Sequence, residues 1–221
     1  MRLAEKRVVI TGAAGLLGRE FVARMAQEGA IVIGLDLEIS EESTKASDLA
    51  DRIHWRSADV SDPQSVQNVF LEIDRDFGGV DVVLNNAAAK SPSFYAPFEE
   101  FPIDEWRAVL EVNLTGQFLV AQAACKRLVA QDGGVLVNVS SIYGVVAPDQ
   151  RIYEDAQEAG PFGVPAVYSA SKAGVIGLTK YLAAYYQGRD LRVNSLSPGG
   201  VLDNQDSGFV ERYSNRTQTG R

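Results

Sequence analysis

The chain has 221 residues, 46% of them hydrophobic and 23% charged, enough for one substantial core and cramped for two. Its formal net charge of −8 argues against nucleic acid or an anionic membrane as a main partner, and no apolar run reaches the roughly 18 residues of a membrane span. A single cysteine, Cys125, excludes an internal disulfide and points to a reducing, cytoplasmic setting, while the lone His54 has no Cys/His company for a zinc site.

Short apolar runs alternate with longer amphipathic ones along the whole chain. Residues 1–7 lead directly into a strand at 7–11, with no signal-peptide core before it. A helix at 15–28 follows, closed by Gly29, then strands at 31–36 and 53–58. Ser61 or Asp62 opens the next helix, with Pro63 in its first turn. A fourth strand is expected at 80–84, helical structure at 103–130 with a break near Asn113 and Leu114, and a fifth strand at 134–139. A helix at 166–186 and a sixth strand at 191–196 complete the pattern. Apolar strands separated by helices predict βαβ units, and right-handed crossovers then build a doubly wound parallel sheet in one α/β domain spanning 1–221.

The turn after the first strand reads Thr11-Gly12-Ala13-Ala14-Gly15-Leu16-Leu17-Gly18. Gly12 permits a tight turn, Gly15 lets backbone approach a pyrophosphate, and Gly18 allows close packing of helix on strand. The helix N-terminus then offers free N–H groups to phosphate. Asp36 ends the second strand eighteen residues past Gly18, where a carboxylate accepts from an adenosine ribose hydroxyl and repels a 2′-phosphate. That favours NAD over NADP. Its alternative is an ordinary strand-end turn residue.

Tyr168 and Lys172 stand four apart in the helix at 166–186 and so share one face. An ammonium beside a phenol favours the phenolate and suits the tyrosine to general acid or base work. Taken alone, such a pair is usually a surface contact. Ser141 and Asn113 likewise have an ordinary reading as capping or turn residues.

With these pieces in order, the chain resembles the short-chain dehydrogenase/reductase family over nearly its whole length. The glycine turn, with Leu16 and Leu17, resembles the family's cofactor turn, and Asp59-Val60 its adenine-contacting pair. Asn85-Asn86-Ala87-Ala88 resembles the segment after strand four, and Asn194 to Gly199, continuing to Val201, the segment on the nicotinamide side that contains Pro198. Asn113, Ser141, Tyr168 and Lys172 match the catalytic tetrad; Ser140 competes with Ser141, and the spacing to Gly144 favours Ser141. The resemblance implies that Ser141 orients the substrate oxygen and Tyr168 exchanges its proton. Lys172 lowers the tyrosine pKa and holds nicotinamide-ribose hydroxyls, and Asn113 positions a relay water. It implies hydride transfer between NAD(H) and a CH–OH/C=O pair, and pairing of the long helices into a homodimer or homotetramer.

Several positions depart from the family pattern. The glycines follow the G-x-x-G-x-x-G spacing of the sugar-nucleotide epimerase and dehydratase branch, Ala88 replaces a glycine, and Asp203 stands where a threonine is usual. The sequence ends at Arg221 before the family's last helix and strand, so the last strand is expected to be missing from it. The epimerase or dehydratase alternative calls for a C-terminal substrate domain that this length does not hold. A non-catalytic NAD-binding regulator has no evident need of all four tetrad residues.

The stretch from Ser141 to Asp149, with residues 151–154, resembles a subgroup of flagellin-modification or polysaccharide-biosynthesis oxidoreductases, which implies a small sugar-type substrate. Ser141 and Tyr168 are twenty-seven residues apart, a longer interval than the family uses, so residues 148–165 read as an insertion beside the site. Asp149, Gln150, Arg151, Tyr153, Glu154, Asp155, Gln157 and Glu158 make it polar, with Arg151 suited to an anion and Tyr153 to stacking on a sugar or base. The bland alternative is a solvated loop.

Overall fold

The computed structural model describes residues 1–39, 49–153 and 163–220. Its strands are β1 (Arg7–Thr11), β2 (Ile31–Asp36), β3 (Ile53–Ser57), β4 (Val82–Asn85), β5 (Gly134–Val139) and β6 (Leu191–Leu196). They form one parallel sheet in the order β3-β2-β1-β4-β5-β6. The chain therefore winds outward from β1 in one direction, then crosses back to β4 and winds the other way, the doubly wound α/β arrangement expected from the alternation.

Alternation along β1 assigns its side chains to two layers. Val8 and Ile10 pack with Val22 and Ala26 of α1 (Leu16–Gln27) on one face. Val9 packs on the other with Phe70 and Ile73 of α2 (Pro63–Phe77) and with Ala124 and Leu128 of α4 (Gln117–Ala130). Phe70 and Ile73 are completely buried, and each such side chain contributes about 1.5–3 kcal/mol through loss of apolar surface from water. Asp62 settles the start of α2: its carboxylate accepts from Gln64 N, Pro63 follows, and Gly78 ends the helix in the left-handed region at φ 73°.

Three elements differ from the sequence reading. β4 starts at Val82 instead of residue 80, because Asp81 is taken up by Arg7: its carboxylate accepts from Arg7 N, Nε and Nη2 at 2.8, 2.8 and 2.9 Å. The expected break near Asn113 is a widening. α3 (Ile103–Leu110) runs into a π turn at Glu111–Gly116 and straight on into α4. The third is α6 (Ser207–Ser214), which the sequence reading did not place; Asp206 caps it by accepting from Phe209 N at 3.1 Å. α5 (Ala166–Tyr185) agrees with expectation to within a residue. No helix among the described residues is long and apolar enough to cross a membrane.

Candidate active site

A cavity of about 850 Å³ opens along the carboxyl ends of the strands, where the winding reverses between β1 and β4. Its floor is made by the β1 and β4 ends knitting together. Thr11 Oγ1 accepts from Asn86 N and Ala87 N at 2.9 and 3.0 Å, and Asn86 Nδ2 donates to Thr11 O and Gly12 O at 3.0 and 3.1 Å. Beneath that floor runs a buried polar row. Thr11 Oγ1 donates to Asn85 Oδ1 (3.4 Å), Asn85 Nδ2 to Asn138 Oδ1 (3.2 Å), and Asn138 Nδ2 to Thr179 Oγ1 on α5 (3.0 Å).

The glycine turn forms one wall, with Gly12, Gly15, Leu16, Leu17 and Gly18 all lining the cavity. A Cβ at Gly18 would lie 2.0 Å from Gly12 O, so only glycine lets α1 sit this close to the turn. Gly15 starts α1 with no side-chain cap, which leaves the first N–H groups of the helix without a side-chain acceptor. Asp36 lines the same cavity from the end of β2; one carboxylate oxygen accepts from Ala14 N and the other from Leu37 N, both at 2.8 Å. A carboxylate has room for further donors beyond these two. Asp59 and Val60, then Asn86, Ala87 and Ala88, continue the wall, and Pro198, Gly199 and Val201 close the far end. Uncapped helix N–H groups and an ammonium as donors, with a carboxylate between them as acceptor, form the set that a dinucleotide of pyrophosphate and ribose fits.

The end of β5 brings Ser141 to α5. Ser140 Oγ donates to Lys172 O at 2.7 Å, and a Cβ at Gly144 would lie 2.7 Å from that same oxygen, so the chain passes α5 at close range. Ser140 is thus engaged in structure. Both serines line the cavity, but Ser141 Oγ only accepts, from Tyr143 N at 3.1 Å, and keeps its proton to donate. Tyr168 and Lys172 line the cavity from the same face of α5, with Lys172 Nζ 5.8 Å from the centre of the Tyr168 ring. Lys172 is only 2% exposed, and burial pushes its ammonium down from 10.5 to about 8. Its Nζ donates to Val139 O at 3.0 Å, and Gln117 Nε2 donates to that same carbonyl at 3.1 Å.

Asn113 is fully buried in the π turn, and its amide is already engaged. Oδ1 accepts from Ala89 N at 2.7 Å and Nδ2 donates to Ala89 O at 3.2 Å. It supports the wall from behind, while its neighbours Val112 and Ala89 line the cavity. Asp203, noted above as a departure from the family pattern, also lines it, as do Lys90 and Gln205, which were not singled out from sequence; all three lie in irregular stretches where no period marks a facing side chain.

Of the insertion, the part at 154–162, with Glu154, Asp155, Gln157 and Glu158, lies outside the described residues. Its base is held. Gln150 Oε1 accepts from Gly163 N at 2.8 Å and Nε2 donates to Val164 O at 3.3 Å. Arg151, expected to take an anion, pairs with Asp149, which also meets Arg216.

Residues 6–208 match the short chain dehydrogenase family. D-threitol dehydrogenase of Mycolicibacterium smegmatis is 36% identical over 204 residues, 91% of this chain and 72% of that protein. A 3-oxoacyl-(acyl-carrier-protein) reductase of Thermotoga maritima is 35% identical over 206 residues, 91% of this chain and 76% of that protein. A short chain dehydrogenase of Leptospira borgpetersenii, solved with bound NAD+, superposes with a TM-score of 0.87 and 34% identity over 100% of this chain and 81% of that one.

Proposed function

The chain belongs to the short-chain dehydrogenase family, oxidoreductases that act on CH–OH groups with a nicotinamide cofactor, and from that premise we propose that it uses NAD(H) on a sugar or sugar derivative. The cofactor choice is carried by Asp36, whose carboxylate lines the cavity at the end of β2. A ribose carrying two free hydroxyls donates to a carboxylate, whereas a 2′-phosphate meets its charge. The polar insertion and the relative that acts on D-threitol support the substrate class.

In this reading the bound nicotinamide supplies the hydride acceptor in oxidation and the hydride donor in reduction. The glycine turn and the α1 N-terminus hold its pyrophosphate, and Asp59, Val60, Asn86, Ala87 and Ala88 flank the rest. Ser141 donates to the substrate oxygen and fixes its direction. Tyr168 takes the hydroxyl proton in oxidation and returns one in reduction. Lys172 holds ribose hydroxyls and sets an ammonium beside the Tyr168 ring. Asn113, tied to Ala89, positions the cavity wall and keeps one donor and one acceptor for a relay water.

The protein works in the cytoplasm in this reading, and pairs through α4 and α5 into a homodimer or homotetramer. Phe118, Tyr181 and Tyr185 expose large aromatic surface on those helices in support. Titrating NAD and NADP onto the protein tests the central assignment. At least a tenfold preference for NAD is expected, about 1.4 kcal/mol in binding, and equal affinities would remove Asp36 from the ribose.

A further inference from the structure

We propose that Tyr143 and Tyr153 form a paired phenol site that reads a second hydroxyl of the substrate, so that the enzyme selects polyhydroxylated alcohols over monohydric ones. This rests on the sugar-type reading above and assigns the residues that would enforce it.

Tyr143 sits in the one-turn helix Ile142–Gly144 directly after Ser141, and its N–H donates to Ser141 Oγ. Tyr153 ends the turn Gln150–Tyr153 at the base of the insertion. The two hydroxyls lie 3.3 Å apart. A bond between two phenols uses one of their two O–H groups, so the pair keeps a donor and several lone pairs for a third partner. Burial pushes both phenols upward in pKa, so the pair is neutral, and the Tyr143 N–H bond to Ser141 Oγ sets it beside the cavity wall. The exposed arginines of this corner, Arg151 and Arg216, are both engaged by Asp149. A neutral donor and acceptor pair suits a neutral hydroxyl better than a carboxylate or phosphate.

The pair is also held in place. The Tyr153 ring packs 5.3 Å from Phe209 on α6, and Phe209 stands 6.0 Å from Tyr213. Tyr213 Oη accepts from Gly200 N, next to Gly199 in the cavity wall, and Arg212 Nε donates to Ile152 O at 3.0 Å. α6 thus links the segment that closes the cavity to the insertion's base. A polar site fixed before binding discriminates strongly, because an analogue lacking the matching hydroxyl leaves desolvated groups unpaired.

The test compares Tyr143→Phe and Tyr153→Phe with wild type at saturating NAD. The panel sets glycerol, tetritols, pentitols and hexitols against isopropanol and cyclohexanol. For the best polyol, each variant is expected to lose at least about tenfold in kcat/KM, while kcat/KM for the monohydric alcohols and the affinity for NAD are unchanged. A proportionate loss on both classes would reduce the pair to packing and overturn the proposal. Polyol turnover that the variants leave intact would overturn the pair alone. A wild type that oxidises no polyol would overturn both the pair and the sugar-type reading.

Discussion

Lys172 lies where two demands conflict. Burial disfavours its charge, yet the proposed chemistry needs that charge beside Tyr168. A folded-state pKa lowered from 10.5 to about 8 costs about 3 kcal/mol of stability below pH 8, a cost that fades as pH rises from the folded toward the unfolded value. Replacing it exposes no orphan, because Val139 O still accepts from Gln117 Nε2. We therefore expect Lys172→Met to be more stable than wild type at pH 7 by about 1–3 kcal/mol in urea denaturation. The gap should close between pH 8 and 10.5, and NAD turnover should be lost. Tyr168→Phe has a different signature: NAD binding should survive while kcat falls by about 10²–10⁴. Steady-state kinetics on an identified substrate, beside a cofactor titration, checks this. The spacing of Tyr168 and Lys172 was legible because helical geometry alone dictates a shared face. The spacing to Gly144 already favoured Ser141 over Ser140, but the physical reason was not legible, since only the fold shows the Ser140 hydroxyl bound to Lys172 O while both serines line the cavity.

At the scale of elements, α1 depends on one missing side chain. A Cβ at Gly18 would press to 2.0 Å from Gly12 O, which is backbone and cannot swing aside. Gly18→Ala should push α1 off the β1 turn, cost about 1–3 kcal/mol in stability and abolish NAD binding. Denaturation and cofactor titration together read both effects. This helix could be read from sequence because the glycine spacing has a mechanical reason. The π turn could not: its side-chain pattern matches that of an interrupted helix, and it shows only in the backbone, where Asn113 clamps Ala89. α6 escaped for another reason. It is a single short helix among exposed polar residues, and Asp206 capping Phe209 N was the one available signal. The same short helix is the element that fastens Tyr153.

Across the whole molecule, stability and function separate by the two ends of the sheet. The cavity takes the carboxyl ends of the strands, and the Arg7–Asp81 pair holds β1 to β4 at the opposite ends. The Arg7 guanidinium keeps the Asp81 carboxyl below its ordinary range, so the pair stabilises at neutral pH and that gain is lost as acid protonates Asp81 through its lowered pKa. Asp81→Asn should be less stable than wild type at pH 7, with the difference closing in acid, while NAD affinity and kcat are unchanged; denaturation across pH and kinetics at neutral pH check it. Alternating runs predicted a parallel doubly wound sheet, but not its explicit strand order, with β4 paired beside β1, which long-range pairing decides.

The buried row from Thr11 through Asn85 and Asn138 to Thr179 works as a crossbar under that crossing. It ties the glycine turn to the helix that carries Tyr168 with hydrogen bonds among buried side chains. The corner of Tyr143, Tyr153 and α6 sits above it and contributes none of its bonds. Such a frame lets the jaw be retooled for a new substrate while the anvil beneath keeps its dimensions.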